Sequence, residues 1–265
     1  MDKATVGGVL VGVGGILAGL LLEGGHLSQV LQPTAAMIVF GGTIGAVLIQ
    51  FPLSVVRDAV RRLIHIFQEP KRNPQLLIEE MVKYANQARR AGIVSLDAEL
   101  EKMEEPFMRK SMMLAVDGTE PQELRKMMEL ELDNQIEHEE QIPQVFESAG
   151  GFSPTIGIIG AVLGLIQTMQ HLDKIDEVGR GIAVAFVATI YGVGAANLFF
   201  LPASGKLRSR IREEQIIREM TLEGVVSILE GMNPHMLQTK LLGFLSQSEK
   251  ERKNQDIAEN QDAPS

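Results

Sequence analysis

Followed from end to end, the chain alternates between long apolar runs and stretches rich in charge. A helix needs roughly 20 mostly apolar residues to cross about 30 Å of hydrocarbon. Four runs qualify: residues 4–22, 34–51 (closed by Pro52), 149–172 and 181–205, and none contains Asp, Glu, Lys or Arg. The pattern predicts an all-α integral membrane protein with four transmembrane helices and a helical cytoplasmic domain between spans two and three. The organisation expected is spans one and two in 1–51, the cytoplasmic domain in 52–148, spans three and four in 149–205, an amphipathic helix region in 206–247 and a disordered tail in 248–265.

Outside the apolar runs, hydrophobic positions recur at helical spacing. Val55, Val56, Ala59, Val60, Leu63, Ile64 and Phe67 share one face, with arginines on the other, and are expected to prolong span two. Leu76, Leu77, Met81, Tyr84, Ala85 and Ala88 form a second face that stops at Gly92. A third helix is expected near Ser95, read as its N-cap, and a fourth from Pro121, strongly acidic from Glu129 to Glu140. Leu207, Ile211, Ile216, Ile217, Met220, Val225, Ile228 and Leu229 mark another amphipathic helix, and the tail from Ser248 is too polar to bury a core. No stretch carries a strand signal.

The first run invites two other readings. A cleaved leader also starts with a basic residue and an apolar run, but this run is long and no A-x-A site closes it. The string Gly12–Leu17 departs from a dinucleotide-binding loop at its last glycine and has no strand-helix unit around it.

Lys and Arg placement orients the spans. Lys3 precedes span one; Arg57, Arg61 and Arg62 follow span two; Lys206, Arg208, Arg210 and Arg212 follow span four. The connection 23–33 has no Lys or Arg, and 173–180 is more acidic than basic. Both termini and the central domain are therefore expected on the cytoplasmic side.

Composition removes several function classes. A net charge of −9 offers no excess positive field for nucleic acid, and the absence of cysteine excludes disulfides and thiolate metal sites. The histidines are scattered, with His138 among glutamates on what reads as a solvated acidic face. No nucleophile triad, phosphate loop or metal set is present, so neither an enzyme nor a cofactor is expected.

Within the spans, Gly8/Gly12, Gly15/Gly19, Gly41/Gly45 and Gly160/Gly164 form pairs that let helix backbones approach closely in lipid. Spans three and four also carry Ser153, Thr155, Gln167, Thr168, Thr189, Tyr191 and Asn197, with Pro154 and Pro202 near their ends. These groups suit either helix–helix hydrogen bonding with ordinary kinks or a path for a small ion. Ion transport normally uses an acid inside the membrane, and no span contains one; Glu23, Asp173, Asp176, Glu177 and Glu147 lie only at the edges. Either the chain does not transport ions or a partner supplies the acid. Arg89, Arg90, Asp97 and Glu99 surround a tight turn and are read either as a solvated hairpin or as a docking surface for a charged partner.

Several stretches together resemble a known family. They are 33–46 with its Gly-Gly-Thr-Ile-Gly core, the turn 88–97, Met113 to Gly118, Ala149 to Leu165, and Ala185 to Gly192 followed by Leu201-Pro202. In this order and with four spans, the chain resembles the flagellar stator branch of the MotA/TolQ/ExbB proton channel family over almost its whole length. The resemblance implies an ion-conducting stator subunit that couples proton flow to torque. It implies a homo-oligomeric ring, a pentamer, around a MotB-like peptidoglycan-binding subunit that brings the membrane aspartate, and contact with the rotor protein FliG. By position it assigns rotor-interacting charges to Arg89 or Arg90 and to Asp97 or Glu99, with Asp97 standing where the family has Glu. It assigns coupling prolines to Pro154 and Pro202, and an ion pathway to Thr189, Ala161, Ala188, Thr155 and Tyr191. Sodium-driven relatives tend to carry Thr at the positions of Ala161 and Ala188; a hydroxyl can ligate Na⁺ and a methyl cannot, so H⁺ is favoured over Na⁺. The rivals are a sodium-driven stator, a TolQ/ExbB-like energiser of outer-membrane processes (these usually have fewer spans) and a membrane scaffold without an ion path.

Overall fold

The computed structural model describes residues 3–65, 73–103, 105–170, 172 and 174–245. Phe67, Asp173 and the tail from Ser248 lie outside the described residues. In chain order the helices are α1 (Lys3–Leu22), α2 (Leu27–Val30), α3 (Pro33–Gln50), α4 (Leu53–His65), α5 (Pro74–Ala91), a 3₁₀ turn (Ile93–Leu96), α6 (Asp97–Leu100), α7 (Pro106–Val116), α8 (Pro121–Gln170), α9 (Ile175–Ala195), a π turn (Ala196–Phe200), α10 (Leu201–Leu229) and α11 (Pro234–Leu242). Four helical stretches are long and apolar enough to cross a membrane: Ala4–Leu22, Pro33–Gln50, and the apolar parts of Pro121–Gln170 and Ile175–Leu229.

The chain divides into two compact units, Met1–Glu69 with His138–Ile211, and Pro70–Glu137 with Arg212–Ser265. The first unit holds the apolar runs. Helix α3 buries Ala35, Val39, Thr43 and Val47, a stripe at four-residue spacing. Ala35 and Val39 pack on Val187 and Ala188, while Val47, Val55 and Ala59 share a cluster with Ile142, Val145, Phe146, Ala149, Ala203 and Leu207. Arg62 reaches Glu139 at 2.7 Å and Arg208 reaches Glu147 at 2.6 Å. By contrast, no residue of Ala4–Leu22 is buried. A helix apolar on all sides and only partly covered by its own chain is built for contact with lipid or other chains.

The second unit has a conventional aqueous-type core. Met81, Leu96, Met103, Met108, Met112, Leu124, Met128, Met220, Leu237 and Leu241 are fully or almost fully buried in one cluster. Burying each such side chain contributes about 1.5–3 kcal/mol, and unbranched Met fills irregular gaps between short helices. Side chains cap the helices of this unit: Asn73 accepts from the Gln75 amide at 3.0 Å, Glu105 from Met108 at 2.6 Å, and Asn233 from His235 at 2.9 Å.

Four local expectations change. Residues 53–64 do not prolong span two: Phe51 is extended, at φ −118° and ψ 145°, because Pro52 disfavours a helical predecessor, and α4 is a separate helix. Ser95 is not an N-cap; it lies in the 3₁₀ turn and its hydroxyl donates to the Gly92 carbonyl at 2.7 Å, while fully buried Leu96 draws the turn inward. The acidic helix from Pro121 and span three are one 50-residue helix, with Pro143 and Pro154 inside it. Span four likewise runs through the π turn into α10 without a stop. Helices α2, α7 and α11 were not anticipated.

Candidate functional site

Spans three and four meet along a seam of small residues. A side chain on Gly157 would stand 2.9 Å from the Ala188 carbonyl, one on Gly160 2.9 Å from the Ala188 methyl, and one on Gly164 2.8 Å from the Gly181 carbonyl. At Gly192 an added carbon would lie 2.5 Å from the Ser153 carbonyl and 3.1 Å from Pro154 Cα. The two backbones therefore touch, which is how helices associate where lipid removes the hydrophobic drive. Of the four glycine pairs expected from sequence, only Gly160/Gly164 is used this way within the chain; Gly8, Gly15, Gly19, Gly41 and Gly45 face open space, and Gly12 meets only Leu198.

The hydroxyls in these helices are mostly turned onto backbone carbonyls. Ser153 donates to Gly192 at 2.6 Å, Thr155 to Phe152 at 2.8 Å, Thr168 to Gly164 at 3.1 Å and Thr189 to Ala185 at 3.2 Å. Among the described residues, Thr43 Oγ1 is the one buried side-chain polar atom with no hydrogen-bond partner.

Seam geometry sorts the candidate path residues. Each helical residue is rotated by about 100° from the last, so in two antiparallel helices the residues that follow seam positions fall on the same flank. Pro154 follows Ser153, Ala161 follows Gly160 and Thr189 follows Ala188; the structure brings these three to one flank. Beside them Ile158, Leu165, Phe186 and Val193 are exposed, so around the Thr189 hydroxyl this flank is open and apolar, with exposed Asn197 further along, in the π turn. Ala188 itself is fully buried in the seam. Tyr191 precedes Gly192 and lies on the opposite flank, against α3, where its ring sits 6.1 Å from that of Phe40. Its hydroxyl donates to the Val30 carbonyl at 2.5 Å and accepts from the Gln32 amide at 3.2 Å. Thr155 is exposed and points away from α9, joining neither group.

Pro202 sits just beyond the π turn Ala196–Phe200. It has no N–H for the Leu198 carbonyl, and widening the helix by one residue absorbs that loss. Pro154 packs against Gly192, and a side chain on nearby Gly150 would stand 2.7 Å from Leu201. The regions of the two prolines are therefore held together by direct packing between α8 and the π turn and start of α10.

In the second unit, Arg89 and Arg90 end α5, Gly92 turns the chain at φ +82°, and Asp97 and Glu99 open α6. Gln87 holds the turn by donating to the Ser95 carbonyl at 2.8 Å. Arg89, Arg90 and Asp97 are exposed. Glu99 is largely covered and pairs with Lys102 at 3.1 Å. The phenol of Tyr84 is pushed well above its ordinary value by burial and by its bond to Glu80. A second charged group, unsuspected from sequence, joins three distant helical stretches: Glu223 on α10 accepts from Arg125 on α8 at 2.8 Å and pairs with Lys240 on α11. Burial works to raise the Glu223 pKa, but the bonds from Lys240 and Arg125 outweigh it and hold the carboxyl below its usual range. Among the described residues no three His, Asp or Glu side chains converge as a metal site.

A multi-pass helical membrane protein with a backbone-packed pair of spans, and no acid within the spans, is the class this architecture defines. The pattern of the MotA/TolQ/ExbB proton channel family matches residues 99–220, and that of the Motility protein A N-terminal region matches 6–92. Motility protein A of Bacillus subtilis is 34% identical over 249 residues, 92% of this chain and 91% of that protein. The solved structure of C. jejuni MotAB matches with a TM-score of 0.88 at 30% identity, covering 93% of this chain and 97% of that one. The flagellar MotAB stator complex of Bacillus subtilis matches with a TM-score of 0.87 at 33% identity, covering 95% and 99%. The chain belongs to the MotA/TolQ/ExbB proton channel family.

Proposed function

We propose that the open flank of the seam, carrying Pro154, Ala161 and Thr189, is where a partner helix brings the acid that this chain lacks. The chain is a stator subunit of the bacterial flagellar motor, an inner-membrane multi-pass protein that assembles as an oligomer with a MotB-type subunit. The observation that carries the reading is the pairing of an exposed flank bearing a single hydroxyl with spans that contain no Asp or Glu. A charged carboxylate there is costly to bury, and protonation removes that cost. Each proton then changes which packing of the ring on the partner is favoured, and the ring steps. Pro154 and Pro202, packed through Gly150 and Leu201, carry the change along α8 and α10.

In this reading both termini and residues 52–148 face the cytoplasm, the ring is a pentamer, and Arg89, Arg90 and Asp97 press on FliG. Glu99, already paired with Lys102, contributes less. With a methyl at Ala161 and Thr189 supplying the flank's one hydroxyl, the flank offers too few oxygens to strip water from Na⁺, so the ion is H⁺. Proton uptake by liposomes holding the chain with its partner tests this. Uptake that collapses with the proton gradient supports it; torque that follows the sodium gradient alone overturns the choice of ion. A complex that inserts normally but restores no motility to a stator-less cell overturns the whole reading.

A further inference from the structure

The polypeptide is interrupted just before span two. Helix α2 ends at Val30, Leu31 and Gln32 are extended at φ −93° and −123°, and α3 starts at Pro33. Such a break strands backbone groups that a continuous helix would pair. Tyr191, on span four, answers two at once. Its hydroxyl donates to the Val30 carbonyl at 2.5 Å and accepts from the Gln32 N–H at 3.2 Å, while its ring leans on Phe40.

We propose that Tyr191 is a positioning residue, a latch that fastens the start of span two to span four and thereby fixes which way Thr189 faces. The argument is rotational. Tyr191 and Thr189 stand two residues apart on α9, on opposite flanks of the seam. Turning α9 by one residue's angle, about 100°, would carry Thr189 out of its flank, and Tyr191 out of reach of Val30 and Gln32. Whatever holds the phenol therefore holds the hydroxyl. The glycine seam and the Ser153–Gly192 bond fix α9 against α8, and Ala35 and Val39 pack on Val187 and Ala188; the Tyr191 hydroxyl adds the two directional bonds that tie α9 to the start of α3. Sequence reasoning put Tyr191 among the path residues; the geometry gives its hydroxyl a different task. The inference rests on the proposal that Thr189 faces the ion route.

The test is Tyr191→Phe in the full complex with its partner subunit, since Phe keeps the ring against Phe40 and removes both hydrogen bonds. Backbone hydrogen exchange at Gln32 should rise about fivefold, the equivalent of one ordinary hydrogen bond. Exchange at Ala36, whose N–H is bonded to the Gln32 carbonyl at 3.0 Å, should stay as it was. Proton uptake in liposomes should fall several-fold with co-purification and melting temperature nearly unchanged, a combination that general unfolding does not produce. Unchanged exchange at Gln32 overturns the latch, and raised exchange with wild-type uptake overturns its positioning role. Should the variant fail to assemble, the wild-type complex decides: a Gln32 amide that exchanges as fast as that of Leu31 overturns the proposal. Failure of wild-type uptake, by contrast, would strike the ion-route reading and not the latch.

Discussion

Ser153 and Gly192 are joined twice: the serine hydroxyl donates to the glycine carbonyl at 2.6 Å, and the serine carbonyl lies 2.5 Å from where a Gly192 side chain would begin. The contact is backbone on backbone, so nothing flexible can give way. Gly192→Ala should force the two spans apart at a cost of about 1–3 kcal/mol. In cells the expected result is loss of motility at normal membrane insertion. Gly194, with open space around it, is the control: Gly194→Ala should leave motility intact.

Thr43 offers a prediction of opposite sign. Its hydroxyl is buried and unpartnered, although Thr168 and Thr189 each bond a carbonyl of their own helix. Replacing a buried unsatisfied group by an apolar one of the same shape removes a cost of about 1–2 kcal/mol. Thr43→Val should therefore raise the thermal midpoint of the purified complex, as read by a fluorescence or light-scattering melt.

The Glu223 pair with Arg125 and Lys240 makes stability depend on acid. Its pKa in the folded chain is lowered, so its contribution is present above the ordinary carboxylate range, near 4 to 4.5, and is lost as pH falls through the lower folded value. Glu223→Gln should cost about 1–3 kcal/mol at neutral pH. Melting curves recorded down a pH series should show wild type and variant converging in acid.

Charge reversal at Arg90 or Asp97 should abolish torque while changing stability by less than about 0.5 kcal/mol, since both side chains are exposed. Glu99→Lys should behave differently, because it opposes Lys102 with a like charge and lies near Tyr84. Tethered-cell rotation together with a melt of the purified complex separates the two behaviours.

Much of this protein is legible from its sequence because lipid imposes a severe rule. A run without charge that is long enough must be a helix, and the spans fell where apolar length put them. The turn at Gly92 was equally plain, since only glycine sits comfortably at φ +82°. Helix continuity was not legible: Pro143 ought to interrupt α8, yet the helix passes through it. Nor did the glycine pairs announce their partners. Gly160/Gly164 and Gly41/Gly45 look alike as strings, and only the fold shows that the first pair meets Ala188, Ala185 and Gly181 while the second meets nothing. The Arg125–Glu223–Lys240 group joins positions too far apart in the chain for any local pattern to reveal.

Span one, with no buried residue between Ala4 and Leu22, has a consequence for the membrane itself. A helix that its own chain holds so lightly takes its tilt largely from the thickness of the bilayer and from the neighbours it meets there. Lipid composition therefore reaches this protein first through its opening helix, and a thicker or thinner bilayer would be registered there before it altered the glycine-locked pair of spans three and four.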